Sequence, residues 1–281
     1  MKYFKEQNKY KVKHSYLKDL LRSYWFIPSD VLQRAIEANI WDLCKFTHPI
    51  LSIGIGSGML DVILFKKHGL MEVGIDVDDS QFNTARSLGI YKNIYKVDAG
   101  KMPFKKSSFS TVISNSTFEH IKNDEKAISE VSRVLKAGGL FFFTTPSNFL
   151  QEWIFSFEGN GKGQSKKKLK SFNKRLDHFH YHTLSEWQDL LRSNKLELIT
   201  HKYYFPKNVS IYWYKLFKIF TFKINDKEVW SYLGHGKLTR VLPKKIIIKL
   251  FEKIILKNAF KNGFFTDPNV GGQHFIIAKR K

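Results

Sequence analysis

Gly54, Gly56 and Gly58 stand at alternate positions where the apolar run 49–53 gives way to Met59 and Leu60. Between a strand and a helix, such a turn lets a ligand lie close to the backbone, against unpaired N–H groups and the positive end of the helix dipole. A phosphate, a nucleotide or a sulfonium compound could use such a turn. The dinucleotide fingerprint G-x-G-x-x-G would put its third glycine at Met59, so this spacing speaks against a nicotinamide cofactor. Further along, Asp76 and Asp98 each end an apolar run and are followed by Val77 and Ala99, while Asn115 ends another. A carboxylate at the end of a second strand accepts hydrogen bonds from both hydroxyls of a ribose more strongly than any neutral side chain does. Three histidines alternate in Asp177-His178-Phe179-His180-Tyr181-His182, and Phe118-Glu119-His120 supplies a fourth. On an extended segment the alternation points all three one way, a pattern that could hold zinc. Histidines at i, i+2 and i+4 of one strand rarely converge on a tetrahedral ion, and the expectation is no metal.

These residues need elements to position them. Apolar runs at 50–55, 72–75, 93–97, 110–114 and 140–144 read as strands, and segments 59–68, 79–88 and 124–135 between them read as helices. The third helix carries Ile128, Val131, Val134 and Leu135 at helical spacing and ends at Gly138-Gly139. Strand and helix alternate, which predicts a parallel sheet with helices on both faces and a ligand beyond the carboxyl ends of the strands. Upstream, 29–46 reads as a helix with Leu32, Ala35, Ile36 and Leu43 on one stripe, expected to cover the sheet. After Pro146, the stretch 159–168 reads as a flexible basic loop. Thr183-Leu184-Ser185-Glu186 then forms a capping box before a helix bearing Trp187, Leu190 and Leu191. Residues 196–205 and 273–278 read as later strands.

The glycine turn, Val73-Gly74-Ile75-Asp76-Val77-Asp78, Val97-Asp98-Ala99, the stretch "MPFKKSSFSTVISNSTFEHI" and "EVSRVLKAGGLFFFTTP" follow one another in order. As a set they resemble the class I S-adenosylmethionine-dependent methyltransferases, in particular the group that acts on small molecules. The resemblance is close over 50–146 and looser from about 28 to 205. It implies a Rossmann-like fold with a seven-stranded, mostly parallel sheet and S-adenosylmethionine as cofactor. It divides the chain into a basic extension at 1–27, a core at 28–205, a basic amphipathic insertion at 206–272 and a final core strand at 273–281. It places Asp76 at the ribose with Val77 also among the cofactor-binding residues, Asp98 near the adenine amino group with Ala99 supplying backbone contact, and Asn115 beside the methionine portion. Family members carry an acidic residue where this chain has Ser52, two positions before Gly54, so a non-catalytic descendant that still binds the cofactor is an alternative.

Methyl transfer from a sulfonium ion is an in-line displacement that holds the nucleophile near 3 Å from the methyl carbon and, for an oxygen acceptor, removes its proton. His120, His178 and His180 are the candidate bases, because imidazole titrates near neutrality. The proline-proline-aromatic motif of amino-methylating DNA enzymes is missing, Asn115 being followed by Ser116-Thr117-Phe118. A cytosine-C5 enzyme needs a nucleophilic cysteine beyond the cofactor turn, and Cys44 precedes it.

The net charge of +22 is unevenly shared: residues 151–281 hold 26 Lys/Arg against 10 Asp/Glu, and the first 150 hold 21 against 15. An anionic partner, nucleic acid or an acidic membrane surface, would explain the asymmetry, and so would a lysine-rich surface without a partner. Trp213, Leu216, Phe217 and Phe220 share a helical face apart from Lys215 and Lys218. Ile247, Leu250, Phe251 and Ile254 lie opposite Lys245, Lys249 and Lys253. These faces either pack internally or meet a membrane that holds a lipid-bearing acceptor. No apolar run is long enough to span a bilayer, no secretory signal is visible, and the single Cys44 excludes an internal disulfide. The expected setting is the cytoplasm, with peripheral contact at the inner face of the membrane. The expected activity is methyl transfer to oxygen of a small-molecule, glycan or lipid-linked acceptor, with an RNA methyltransferase as the alternative that charge favours.

Overall fold

A computed structural model of the chain describes residues 3–5, 13–159, 162–235, 242–259 and 269–281. In order these form α1 His14–Tyr24, α2 Pro28–Trp41, β1 Ile50–Ile53, α3 Met59–Leu64, β2 Met71–Asp76, α4 Phe82–Ser87, β3 Tyr91–Lys96, β4 Phe109–Asn115, α5 Asp124–Val134 and β5 Leu135–Pro146. There follow α6 Asn148–Glu158, α7 Lys162–Leu176, α8 Leu184–Ser193, β6 Leu196–Tyr204, α9 Lys207–Phe220, the short strands β7 Lys223–Ile224 and β8 Lys227–Glu228, α10 Val229–His235, α11 Lys244–Ala259 and β9 Gln273–Arg280. Short 3-10 turns lie at Lys66–His68 and Phe118–His120.

Contacts divide the chain into two compact units, one of Lys45–Val62, Lys66–Tyr204 and Asp267–Lys281, the other of Met1–Cys44, Ile63–Phe65 and Phe205–Thr266. The first holds a seven-stranded sheet in the order β3-β2-β1-β4-β5-β9-β6. Strands β1 to β5 run parallel, and β9 runs antiparallel to both its neighbours. This is the expected mostly parallel Rossmann-like sheet, with helices packed around it. The strand order reverses between β1 and β4, and that switch point opens a crevice beyond their carboxyl ends.

Local chemistry explains the elements. All four residues of β1 are buried, as a central parallel strand requires. Helix α5 buries Ile128, Val131 and Val134, its first turn is capped by Asn123 Oδ1 accepting the Lys126 amide at 3.1 Å, and Leu135 leads directly into β5. The predicted capping box at Thr183 and Glu186 is formed. Phe118, Phe141, Phe143 and Trp187 pack as one aromatic cluster, with the Phe141 and Phe143 rings 4.5 Å apart. Truncating such a buried ring costs about 3–5 kcal/mol, so this cluster anchors the 3-10 turn that starts at Phe118.

The expected loop over 159–168 is corrected in part: helix α7 begins at Lys162 and places Leu169, Phe172 and Leu176 on one stripe, with Phe172 buried. Within the second unit, helix α2 packs against α1 and α9. There α9 buries Trp213, Tyr214, Phe217 and Phe220. Helix α11 is turned from the expected face: Ile255 and Ala259 are buried and Phe251 meets Phe220 edge-on at 5.8 Å, while Ile246 and Leu250 are exposed. Seating Phe251 on the Phe220 ring fixes that rotation. Among the described residues no helix is long and apolar enough to cross a membrane.

Candidate cofactor and acceptor site

The crevice at the switch point is a cavity of about 600 Å³, walled by Gly54, Gly56, Asp76, Val77, Asp98, Ala99, Thr117, His120 and Lys126 among others. The three glycines do three different things. Gly54 (φ +80°) passes so close to β4's end that a Cβ there would lie 2.2 Å from Thr117 Oγ1. Gly56 (φ +48°) has open space around it, and its amide donates to Asp76 Oδ2 at 2.8 Å. Gly58 (φ +71°) closes the turn through its amide to the Ile55 carbonyl at 2.8 Å and sits against Ala85 of α4, so its role is packing.

Asp76 Oδ1 also accepts the Asp78 amide, at 3.1 Å. Two bonds leave lone pairs on both carboxylate oxygens for a ligand's hydroxyls. Beside it Val77 is 64% exposed, an apolar wall that a planar ring would cover. Asp98 Oδ1 accepts the Gly100 amide at 2.7 Å and Ala99 is buried beside it. Ser116 holds a left-handed conformation (φ +49°) with its amide on the Thr144 carbonyl and hydroxyl, both at 3.1 Å. Non-glycine residues rarely adopt that conformation, and they concentrate at binding sites.

Three residues expected at the cofactor stand outside the cavity wall. Gly58 lies against α4, and Asn115 Oδ1 accepts the Thr144 hydroxyl at 3.0 Å. Ser52 is buried beneath the turn, 3.4 Å from the Tyr91 hydroxyl. That hydroxyl donates a short hydrogen bond to the carboxylate of buried Asp61. Burial, then Asp61, hold the Tyr91 phenol well above its usual range and keep it a donor. Asp61 therefore brings an acid to the side of the turn where the resemblance expects one at Ser52. Its signal in the sequence was an acidic residue in the first turn after the glycines, favourable at a helix N-terminus.

On the other rim His120 Nδ1 donates to the Asp177 carbonyl at 3.1 Å, and its ring lies 4.8 Å from that of His178. His178 Nδ1 is 2.8 Å from the Tyr181 hydroxyl. Burial, then Glu119, push the Tyr181 phenol up, so it too stays protonated. His180 turns elsewhere, donating through Nε2 to the Ile121 and Lys122 carbonyls at 3.1 Å. His182 Nε2 meets Asp124 Oδ2 at 2.6 Å. The alternating histidines thus part into two groups, because the segment carrying them is no strand. His178 also lines a second cavity of about 500 Å³ with Lys170, Lys174 and Phe179. Thr117, Lys126 and Ser116 were missed by sequence reasoning, since only the fold brings them to the turn.

S-adenosylmethionine fits this wall. Asp76 has acceptors for a ribose diol, Val77 and Ala99 offer apolar cover for a purine, and the bare Gly56 leaves room where a side chain would intrude.

Residues 51–143 match a family described as "Methyltransferase domain". A ubiquinone biosynthesis O-methyltransferase from Pelagibacter ubique is 28% identical over 113 residues, 39% of this chain and 47% of that protein. The chain spans about half the length of the curated relatives it matches, 47% and 58% of two of them. Among solved structures, an S-adenosylmethionine-dependent methyltransferase from Thermotoga maritima aligns over 95% of this chain and 99% of its own with a TM-score of 0.55 and 16% identity. A geranyl diphosphate methyltransferase in complex with S-adenosylmethionine aligns over 100% of both chains at a TM-score of 0.55 and 15% identity. These two share the fold.

Proposed function

We propose that this chain, whose residues 51–143 form a class I S-adenosylmethionine-dependent methyltransferase domain, transfers a methyl group to a hydroxyl oxygen of a small-molecule, glycan or lipid-linked acceptor. The observation that carries the reading is the sharing of one cavity by Gly56, Asp76, Val77 and His120. When bound, S-adenosylmethionine supplies an electrophilic methyl carbon. Gly54, Gly56, Asp76, Val77, Asp98 and Ala99 hold it. His120, with Nδ1 donating to a carbonyl, has Nε2 as its accepting nitrogen and takes the acceptor's hydroxyl proton there. The His178 ring packs edge-on against it at 4.8 Å.

The relative acting in ubiquinone biosynthesis supports a small-molecule acceptor and oxygen as the atom. Exposed Ile246 and Leu250 between Lys245, Lys249 and Lys253 support peripheral contact with an anionic membrane, from which a lipid-linked acceptor could be drawn.

Calorimetric titration with S-adenosylmethionine, followed by transfer of its labelled methyl group to phenolic, glycan and prenyl-alcohol acceptors, tests the proposal. Transfer to a hydroxyl that His120→Gln slows is expected. Cofactor binding with turnover only on nitrogen acceptors, or with no turnover on any class, would overturn it.

A further inference from the structure

We infer that Glu119, His120 and His178 form a binding site for one divalent first-row metal ion, with zinc as the type case. One carboxylate oxygen and one nitrogen of each ring lie within 4.8 Å of one another. Ligands on a common ion at about 2.0–2.2 Å sit roughly 3–4 Å apart, so small side-chain rotations close the set. Two imidazoles and one carboxylate suit such ions and leave coordination positions open.

The supports are already in place. A metal-bound imidazole is held by a hydrogen bond from its other nitrogen. Nδ1 of His120 bonds the Asp177 carbonyl at 3.1 Å and Nδ1 of His178 meets the Tyr181 hydroxyl at 2.8 Å, which assigns Nε2 of each ring to the ion. The Phe179 amide donates to the Glu119 carbonyl at 2.7 Å and ties the two ligand segments together. Glu119 is buried, where the low dielectric strengthens its attraction for a cation.

The neighbouring group Asp124, His180 and His182 is equally compact but differently committed. His180 Nε2 carries a proton toward two carbonyls, and Asp124 is engaged with His182 at 2.6 Å. That group is a hydrogen-bond network.

His120 belongs to the cofactor cavity and His178 to the second one, so the ion stands where the two walls meet. In the ion-loaded site Nε2 of His120 is a ligand and no longer the base: an acceptor hydroxyl entering an open coordination position would be acidified, as metal-bound water is, and would release its proton to solvent. This role rests on the methyltransferase reading, but ion binding is measured with neither cofactor nor acceptor, so the two fail separately.

The experiment is titration of the metal-free full chain with zinc chloride, and with cobalt(II) followed by its visible absorption. One ion per chain is expected, with affinity falling about tenfold or more in His178→Gln and in Glu119→Gln, and by a similar factor in Tyr181→Phe. Circular dichroism separates loss of the site from loss of the fold, and partly exposed His178 is the variant least exposed to that problem. Asp124→Asn should leave the affinity within twofold. Absence of zinc binding, or unchanged affinity in folded His178→Gln, or an equal loss in Asp124→Asn, would overturn the inference.

Discussion

The Asp76 carboxylate, at the end of β2, accepts the Gly56 amide at 2.8 Å and pins the glycine turn after β1 to the neighbouring strand. One side chain thus shapes the turn and lines the cavity beside it. Asp76→Ala should weaken S-adenosylhomocysteine binding by about 1.5–3 kcal/mol through lost charge-assisted bonds. Asp76→Asn should recover part of that, because its carbonyl oxygen still accepts. Calorimetry on both variants and on the parent chain decides it, and tighter binding of NAD than of S-adenosylhomocysteine by the parent would sink the assignment.

Gly54 and Gly56 should respond differently to the same added methyl group. Gly54→Ala drives a Cβ into Thr117 and strains a positive φ, so unfolding in urea should show a loss of about 1–3 kcal/mol or more. Gly56→Ala meets nothing within 4 Å and should lose only about 1–2 kcal/mol from its left-handed backbone, while weakening the cofactor more than the fold. Equal stability of the two variants would contradict this division of labour.

Much of this site was legible in the sequence because its parts sit at strand ends, where an apolar run stops and a turn residue begins. Gly54, Gly56, Asp76, Asp98 and His120 all announce themselves that way. Thr117 and Lys126 do not, since each reaches the turn through the fold and carries no local pattern, and Asp61 signals only as an acid in the first turn of α3. Helix α7 was hidden by its glycines and lysines, although lysine is a good helix former and Leu169, Phe172 and Leu176 supply a stripe. The face of α11 was misplaced because apolar residues occur nearly all around it, and only the contact of Phe251 with Phe220 selects the inner side.

Acid should destabilise the sheet unit through a buried imidazole pair. His274 Nε2 donates to the His182 carbonyl at 3.0 Å, so its Nδ1 accepts from His201 Nε2 at 2.9 Å and both rings are neutral. Burial, then Lys202, bring His201 down to about 4, and burial, then His201, bring His274 down to about 3. The unfolded chain takes up these protons near pH 6.5, well before the folded one does. Stability from the pair is therefore full above about pH 6.5 and is lost as pH falls toward 4, at up to ~1.4 kcal/mol per pH unit for each ring. Urea unfolding between pH 7 and 5 measures the slope. His274→Gln should flatten it, and an unchanged slope in that variant would remove the pair as its source.

The basic helices offer the last test. Helix α11 turns Phe251 and Ile255 inward, which leaves Ile246 and Leu250 exposed among Lys245, Lys249 and Lys253. Apolar groups flanked by lysines suit the headgroup boundary of an anionic bilayer, where each lysine is worth about 1 kcal/mol before screening. Co-sedimentation with anionic vesicles should be measurable at low salt and should fade as the Debye length shrinks from about 10 Å at 0.1 M toward 3 Å at 1 M. RNA binding would fade with salt as well, so the apolar residues must separate the two. Ile246→Ser with Leu250→Ser touches no buried side chain, should leave circular dichroism unchanged, and should abolish vesicle binding while sparing any binding to RNA. A parent chain that ignores anionic vesicles at low salt would make this surface a solvated one and the acceptor a soluble molecule.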